Sequence, residues 1–261
     1  MRKIAIVNLK GGVGKTVTAV NMAAILVDSC ACRVLVIDAD PQSNATRFLG
    51  LDGSRTERNM ATVMAGGGGD PFSYVYETRI PRVDMVPSDI SLIEADIASV
   101  SSGGGAMLLA QLLNAIEADD PGAYGYCVID CPPSFTAASV AAIAAADDVI
   151  IPVKIDAFAL SGMRELMAQI DGARNIRPSI RIAGVLVTMW HRSPAVIQGE
   201  ELLRTAGLPV FSTHIRRSDK VDESTFAGEA LGCYSSRSAA ARDYRAFVAE
   251  YLENLEGCAN G

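Results

Sequence analysis

Residues 4–16 read Ile-Ala-Ile-Val-Asn-Leu-Lys-Gly-Gly-Val-Gly-Lys-Thr, and no other stretch restricts the fold as much. Ile4–Val7 are apolar and rich in β-branched side chains, the composition of a buried strand. Gly11, Gly12 and Gly14 follow at once, and then Ala19, Met22, Ala23 and Leu26 recur at the spacing of one helix face. Strand, glycine loop, Lys-Thr and helix together make a cradle for phosphate. Glycines let backbone N–H groups converge on an anion with no Cβ in the way. The helix N-terminus adds its partial positive charge. Lys15 is placed to reach β- and γ-phosphates, and the Thr16 hydroxyl to ligate Mg²⁺. The plain alternative is a glycine-rich turn with two surface lysines, and seven residues in this order between strand and helix leave it little room.

Other bulk properties narrow the class. A chain of 261 residues with 49% hydrophobic content can bury a sizeable core. The longest apolar stretch, Ala137–Val153, is interrupted by Asp147 and Asp148, so no membrane span is expected. Arg2 and Lys3 run straight into the phosphate loop, which argues against a signal peptide. Cysteines 30, 32, 127, 131, 233 and 258 show no paired metal spacing and read as reduced thiols of a cytosolic protein. Net charge is −7, and it is uneven. Met1–Asp156 carry 11 Lys and Arg against 18 Asp and Glu, whereas Ala157–Gly261 carry 12 of each. A generally basic nucleic-acid binder is excluded; any DNA contact must come from a local patch and be salt-sensitive.

Two acid-tipped strands accompany the loop. Arg33–Asp38 is apolar and feeds Asp38-Ala39-Asp40-Pro41-Gln42-Ser43-Asn44. Buried acids need partners or work, and in open α/β sheets this edge is where ligands sit. Asp40 is therefore a candidate to orient the attacking water, and Asp38 a candidate for the outer shell of the metal. Tyr126–Asp130 is a further apolar strand ending in an acid, followed by Cys131-Pro132-Pro133-Ser134. An acid at a strand tip beside a phosphate loop is placed to hold the Mg²⁺ shell. Capping acids before proline turns would look the same in isolation. Strands are also expected at Asp84–Pro87, Asp148–Val153, Arg181–Thr188 and, as a short edge, Pro209–Phe211. Helices are expected at residues 56–65, 90–100, 107–117, 157–177 and 194–205, broken at Gly103–Gly105. A last helix carries Tyr244, Phe247, Val248, Tyr251, Leu252 and Leu255 on one face. Alternating strands and helices with no internal boundary predict one α/β domain over 1–261. Its sheet is mostly parallel and twisted, with helices on both faces.

The loop departs from the general P-loop pattern, with Leu9 at the first glycine place and an extra lysine, Lys10, at its start. Lys10-Gly11-Gly12-Val13-Gly14-Lys15-Thr16 resembles the deviant Walker A motif of the ParA/MinD class of P-loop ATPases. Asp38–Asn44 resembles switch I of ParA/Soj proteins, and Asp130–Ser134 their switch II. Asp84–Leu92, Ala183–Met189 and Ile215-Arg216-Arg217-Ser218 are similar to further segments of that family, the last two beside the adenine, so the resemblance spans essentially the whole chain. It departs at Arg216, where the family has proline, and at Val17, which replaces a second threonine and leaves mainly its backbone N–H for the α-phosphate. With the loop at the start of the sequence, the resemblance is to the small ParA subclass, in which no DNA-binding domain is expected before the loop.

The resemblance implies a single-domain P-loop NTPase fold and slow hydrolysis of ATP to ADP with Mg²⁺. It assigns the nucleotide to Lys10, Gly11, Gly12, Val13, Gly14, Lys15, Thr16, Val17, Met189 and Arg217. It assigns the metal to Thr16, Asp38, Asp40 and Asp130, and catalysis to Lys15, Asp40 and Lys10. Lys10 would cross to the partner's phosphates in an ATP-bound homodimer. A ParB-like adaptor would stimulate hydrolysis, and the dimer would hold DNA non-specifically through Arg216 and Lys220, in the cytoplasm on the nucleoid. A MinD-like or protein-cargo positioning ATPase is the alternative, but the end Glu250–Gly257 is acidic rather than a basic amphipathic membrane helix. A redox or metal carrier like nitrogenase iron protein would need a cluster-binding cysteine pair at the dimer axis and would be coloured.

Overall fold

The apolar runs of the sequence become parallel strands that are buried on both faces, as such runs require. In the computed structural model, which describes residues 1–102, 104–156 and 159–259, they are β1 (Arg2–Ile6), β2 (Val34–Asp38), β4 (Val83–Val86), β5 (Tyr126–Asp130), β6 (Asp148–Lys154) and β7 (Arg181–Thr188). A two-residue strand, β3 (Tyr76–Glu77), pairs antiparallel to β4 at the edge. The order is β3-β4-β2-β5-β1-β6-β7. Alternating side chains serve two cores. Ile4, Ile6, Val34, Val36 and Val128 face α1 (Lys15–Cys30) and α11 (Ala239–Ala259). Ala5, Leu35, Ile37, Ile129 and Ile151 face α3 (Met60–Met64), α5 (Leu108–Asp119), α6 (Ala137–Ala145) and α7 (Ala159–Arg174).

Register then positions the site. Asp130 pairs with Ile6 on one side and with Asp38 on the other. The carboxyl ends of β1, β5 and β2 therefore lie abreast, with the glycine loop leaving β1 at the same edge. The opposite edge is stapled. Buried Asp148 accepts hydrogen bonds from Arg2 Nε at 2.7 Å, Arg181 Nε at 2.6 Å and Tyr251 Oη at 2.7 Å, tying α11 to the start of β6.

Several expectations are corrected. Pro209–Phe211 forms no strand; it makes one parallel bridge, Val185 to Val210, because Pro209 has no N–H to extend the ladder. Within 56–65 only Met60–Met64 is helical, started by an Asn59–Thr62 capping box that the wider reading overran. The helix expected at 157–177 is seen over Ala159–Arg174, and Ala157 and Gly103 lie outside the described residues. Three further helices were not anticipated: α2 (Asn44–Phe48), α9 (Asp219–Ala227) and α10 (Leu231–Tyr234). The remaining two are α4 (Leu92–Ser102) and α8 (Pro194–Thr205). Cysteines 30, 32, 127, 131 and 233 are free thiols, and the side chain of Cys258 lies outside the described residues. Among the described residues, no helix is long and apolar enough to cross a membrane.

Candidate functional site

The loop between β1 and α1 turns on two glycines. Gly12 and Gly14 have φ of +70° and +87°, the left-handed region that side chains avoid. A Cβ added at Gly12 would meet nothing within 4 Å, so the space beside it is an open cradle and not packing. Gly14 is the N-cap of α1, no side chain caps it, and the first turn holds no acid. The first backbone N–H groups of the helix thus lack partners of their own and suit an anion.

Around the cradle the predicted side chains converge. Lys15 is buried and its Nζ donates to the Lys10 carbonyl at 2.9 Å. Burial pulls its ammonium pKa down, against the attraction of Asp130 and Asp40. The Thr16 hydroxyl donates to Asp130 Oδ2 at 2.7 Å. Asp130 is fully buried, and its Oδ1 has no hydrogen-bond partner among the described residues. Burial, then the charge of Asp38, push its carboxyl well above the usual range. Asp38, also fully buried, is pushed up to about 6 by burial, although Thr46 N–H at 2.8 Å, Thr46 Oγ1 at 2.7 Å and Asp40 N–H at 3.1 Å donate to it. Asp40 Oδ1 accepts the Gln42 N–H at 2.8 Å. Its other oxygen takes no hydrogen bond from a described residue.

Three crowded carboxylates, one with an orphaned oxygen, outnumber the single Lys15 ammonium and leave the site short of positive charge. Among the described residues no three His, Cys, Asp or Glu side chains gather to hold an ion alone. Magnesium needs no such cage, since it binds through one or two carboxylates, waters and substrate phosphates. The donor set Thr16–Asp130 fits it, with Asp40 and Asp38 behind. Asp38 accepts hydrogen bonds from Thr46 and from the Asp40 N–H, which tie the segment after β2 to the strand tip.

Beyond the loop lies a cavity of about 410 Å³, lined in part by Gly12, Gly14, Val17, Met189, Arg217 and Tyr244. Met189 and Arg217, which the family resemblance assigns to the base, both line it. The sequence reading passed over its other polar wall, His191, Asp219 and Asp222. The helical signal was present: Ser218 caps α9 by accepting the Lys220 N–H at 3.3 Å, and Gly228 ends the helix at φ 66°. Lys10 lies on the other flank, where its Nζ pairs with Asp156 of the same chain. The two cations assigned to DNA are both paired, Arg216 with Asp243 at 2.6 Å and Lys220 with Glu223 at 2.6 Å.

A glycine loop on a helix N-terminus, a loop lysine, and an acid at the tip of the adjacent parallel strand define a P-loop nucleotide site. Residues 1–182 match the AAA domain family. The chromosome partitioning protein ParA of Caulobacter vibrioides is 33% identical over 255 residues, 97% of this chain and 94% of that protein. The chromosome-partitioning ATPase Soj of Thermus thermophilus is 34% identical over 262 residues, 98% of this chain and 97% of that protein. An ATP complex of a Cyanothece McdA variant is 26% identical, covers 97% of this chain and 96% of its own, and superposes with a TM-score of 0.85. The chain belongs to the ParA/Soj family of P-loop partitioning ATPases.

Proposed function

We propose that this chain is an ATP-dependent dimer switch that partitions or positions DNA, hydrolysing Mg-ATP slowly until an adaptor of the ParB kind stimulates it. One observation carries the reading. The loop holds two lysines with different surroundings: Lys15 is buried under the cradle, whereas the Lys10 side chain is 40% exposed and points to Asp156 on the flank. The phosphates of its own loop are served by Lys15, so Lys10 is free to serve those of a second copy, as an arginine finger in trans does. Its exposed pair with Asp156 costs little to break, about 1 kcal/mol at most. The names of the relatives support the reading: the Thermus protein is a chromosome-partitioning ATPase, and the Cyanothece variant was captured with ATP. Lys10→Ala should bind ATP and remain monomeric in light scattering. An ATP-dependent dimer of normal strength in that variant would remove the role in trans.

DNA would be held by the C-terminal half. Arg216 and Lys220 are each neutralised by a neighbouring acid, which weakens the patch that the sequence nominates. Three exposed arginines add to it. Arg242 and Arg245 donate to the carbonyls of Arg237 and Ser236, and neither they nor Arg237 form an ion pair among the described residues. Dimerisation doubles these charges and so couples ATP state to DNA affinity. Retention of duplex DNA by the ATP-loaded dimer should fall roughly ten-fold or more between ~50 and ~200 mM salt, equally for all sequences. No retention at low salt would leave a switch that acts on a protein surface.

A further inference from the structure

We infer that Asp243, on the C-terminal helix α11, is a positioning residue that fixes the base-side wall of the nucleotide pocket through Arg216. The inference rests on reading the cavity as an ATP site. Between Phe211 and Ser218 the chain has no strand or helix, only one parallel bridge from Trp190 to Arg216. Yet Ile215, Arg216, Arg217 and Ser218 all line the cavity. A wall built from irregular backbone must be held from outside, because each unfixed residue costs ordering entropy when a ligand binds.

α11 supplies that hold. Glu250 accepts the Ser212 N–H at 2.6 Å and the Thr213 N–H at 2.9 Å. Seven residues earlier, two turns along the same helix face, Asp243 grips Arg216 three ways. Its Oδ2 accepts the Arg216 backbone N–H at 3.0 Å and Nε at 2.9 Å, and its Oδ1 accepts Nη2 at 2.6 Å. The next residue, Tyr244, lines the cavity and lies 3.1 Å from Thr18 Oγ1 of α1. One segment of helix therefore fixes the wall to the helix that carries the phosphate cradle.

This explains how an arginine works where the family resemblance expects proline. Proline limits backbone freedom by its ring; here a forked ion pair plus a backbone bond supply the restraint. The bridge uses the Ile215 carbonyl and the Arg217 N–H, both bonded to Trp190, so the Arg216 N–H serves Asp243 alone. A proline at 216 would break no ladder bond.

Asp243 touches no phosphate, so its loss should weaken only what the wall contacts. If the freed loop is competent about a tenth of the time, apparent affinity falls about ten-fold. Calorimetry should show Asp243→Ala binding Mg-ATP and Mg-ADP roughly ten-fold more weakly, with affinity for Mg-tripolyphosphate, which meets only the cradle, unchanged. Adding Arg216→Pro to Asp243→Ala should restore nucleotide affinity. Asp243→Asn keeps the shape and one acceptor, and should give the same selective loss at smaller amplitude if the alanine variant does not fold. Equal ATP affinity in variant and wild type overturns the inference, as does a matching loss for tripolyphosphate or a failure of the proline to restore binding. If the wild-type chain binds tripolyphosphate but no ATP, the nucleotide reading itself fails, a result distinct from a loss confined to Asp243 variants.

Discussion

Lys15→Ala should abolish measurable binding of a fluorescent ATP analogue. The ammonium sits under the glycine loop, 7% exposed, and donates to the Lys10 carbonyl. It is a buried cation beside a cradle lined by backbone N–H groups, and the charges of Asp130 and Asp40 act on it. Without it a triphosphate must approach Asp38, Asp40 and Asp130 with no buried positive charge to offset them. Truncating one partner of a buried, hydrogen-bonded charge pair costs roughly 2–5 kcal/mol, about 30-fold to several thousand-fold in affinity. Circular dichroism of the variant separates lost binding from lost folding. Undiminished binding by a folded Lys15→Ala chain would mean that the loop is not a phosphate site.

Asp40→Ala should keep ATP and stop turning it over. Asp40 stands two residues past the tip of β2, held by its own N–H to Asp38 and by the Gln42 N–H on one oxygen. The second oxygen is left to meet water. Phosphoryl transfer through a loose transition state needs a positioned water more than a strong base, and a group of this kind contributes roughly 10²–10⁴-fold. The substitution also relieves crowding, because the charge of Asp40 helps to raise both Asp38 and Asp130. Nucleotide binding should therefore be retained or tightened while steady-state phosphate release falls by the factor above. Wild-type turnover in this variant would give Asp40 another job.

The site was legible wherever one residue type admits one physical use. Gly12 and Gly14, Lys15, Thr16 and the strand-tip acids Asp38 and Asp130 all lie where the spacing puts them, because a strand, a forced left-handed turn and a helix leave the chain no other path. The base side was less legible. Met189 and Arg217 line the cavity as expected, but the wall depends on Asp243 and Glu250, more than 25 residues away in sequence, and no local pattern ties an acid on a helix to a distant loop. The same limit applies to Arg216. Its charge reads as a surface cation in the sequence, whereas its partner is set by tertiary packing. Short elements were also hard to see. The two-residue β3 and the five-residue α2 present too few periods for a 2.0 or 3.6 repeat to register, and the nine-residue α9 was not anticipated although Ser218 and Gly228 mark its ends. The edge segment Pro209–Phe211 has strand composition, yet the missing proline N–H ends the pairing after one bridge.

The dimer switch is tested most directly by the molar mass of Asp40→Ala in light scattering, with Mg-ATP and then with Mg-ADP. The account predicts twice the 27.5 kDa chain mass in ATP, persisting because the nucleotide is not hydrolysed, and a single chain mass in ADP. One mass in both nucleotides would contradict it.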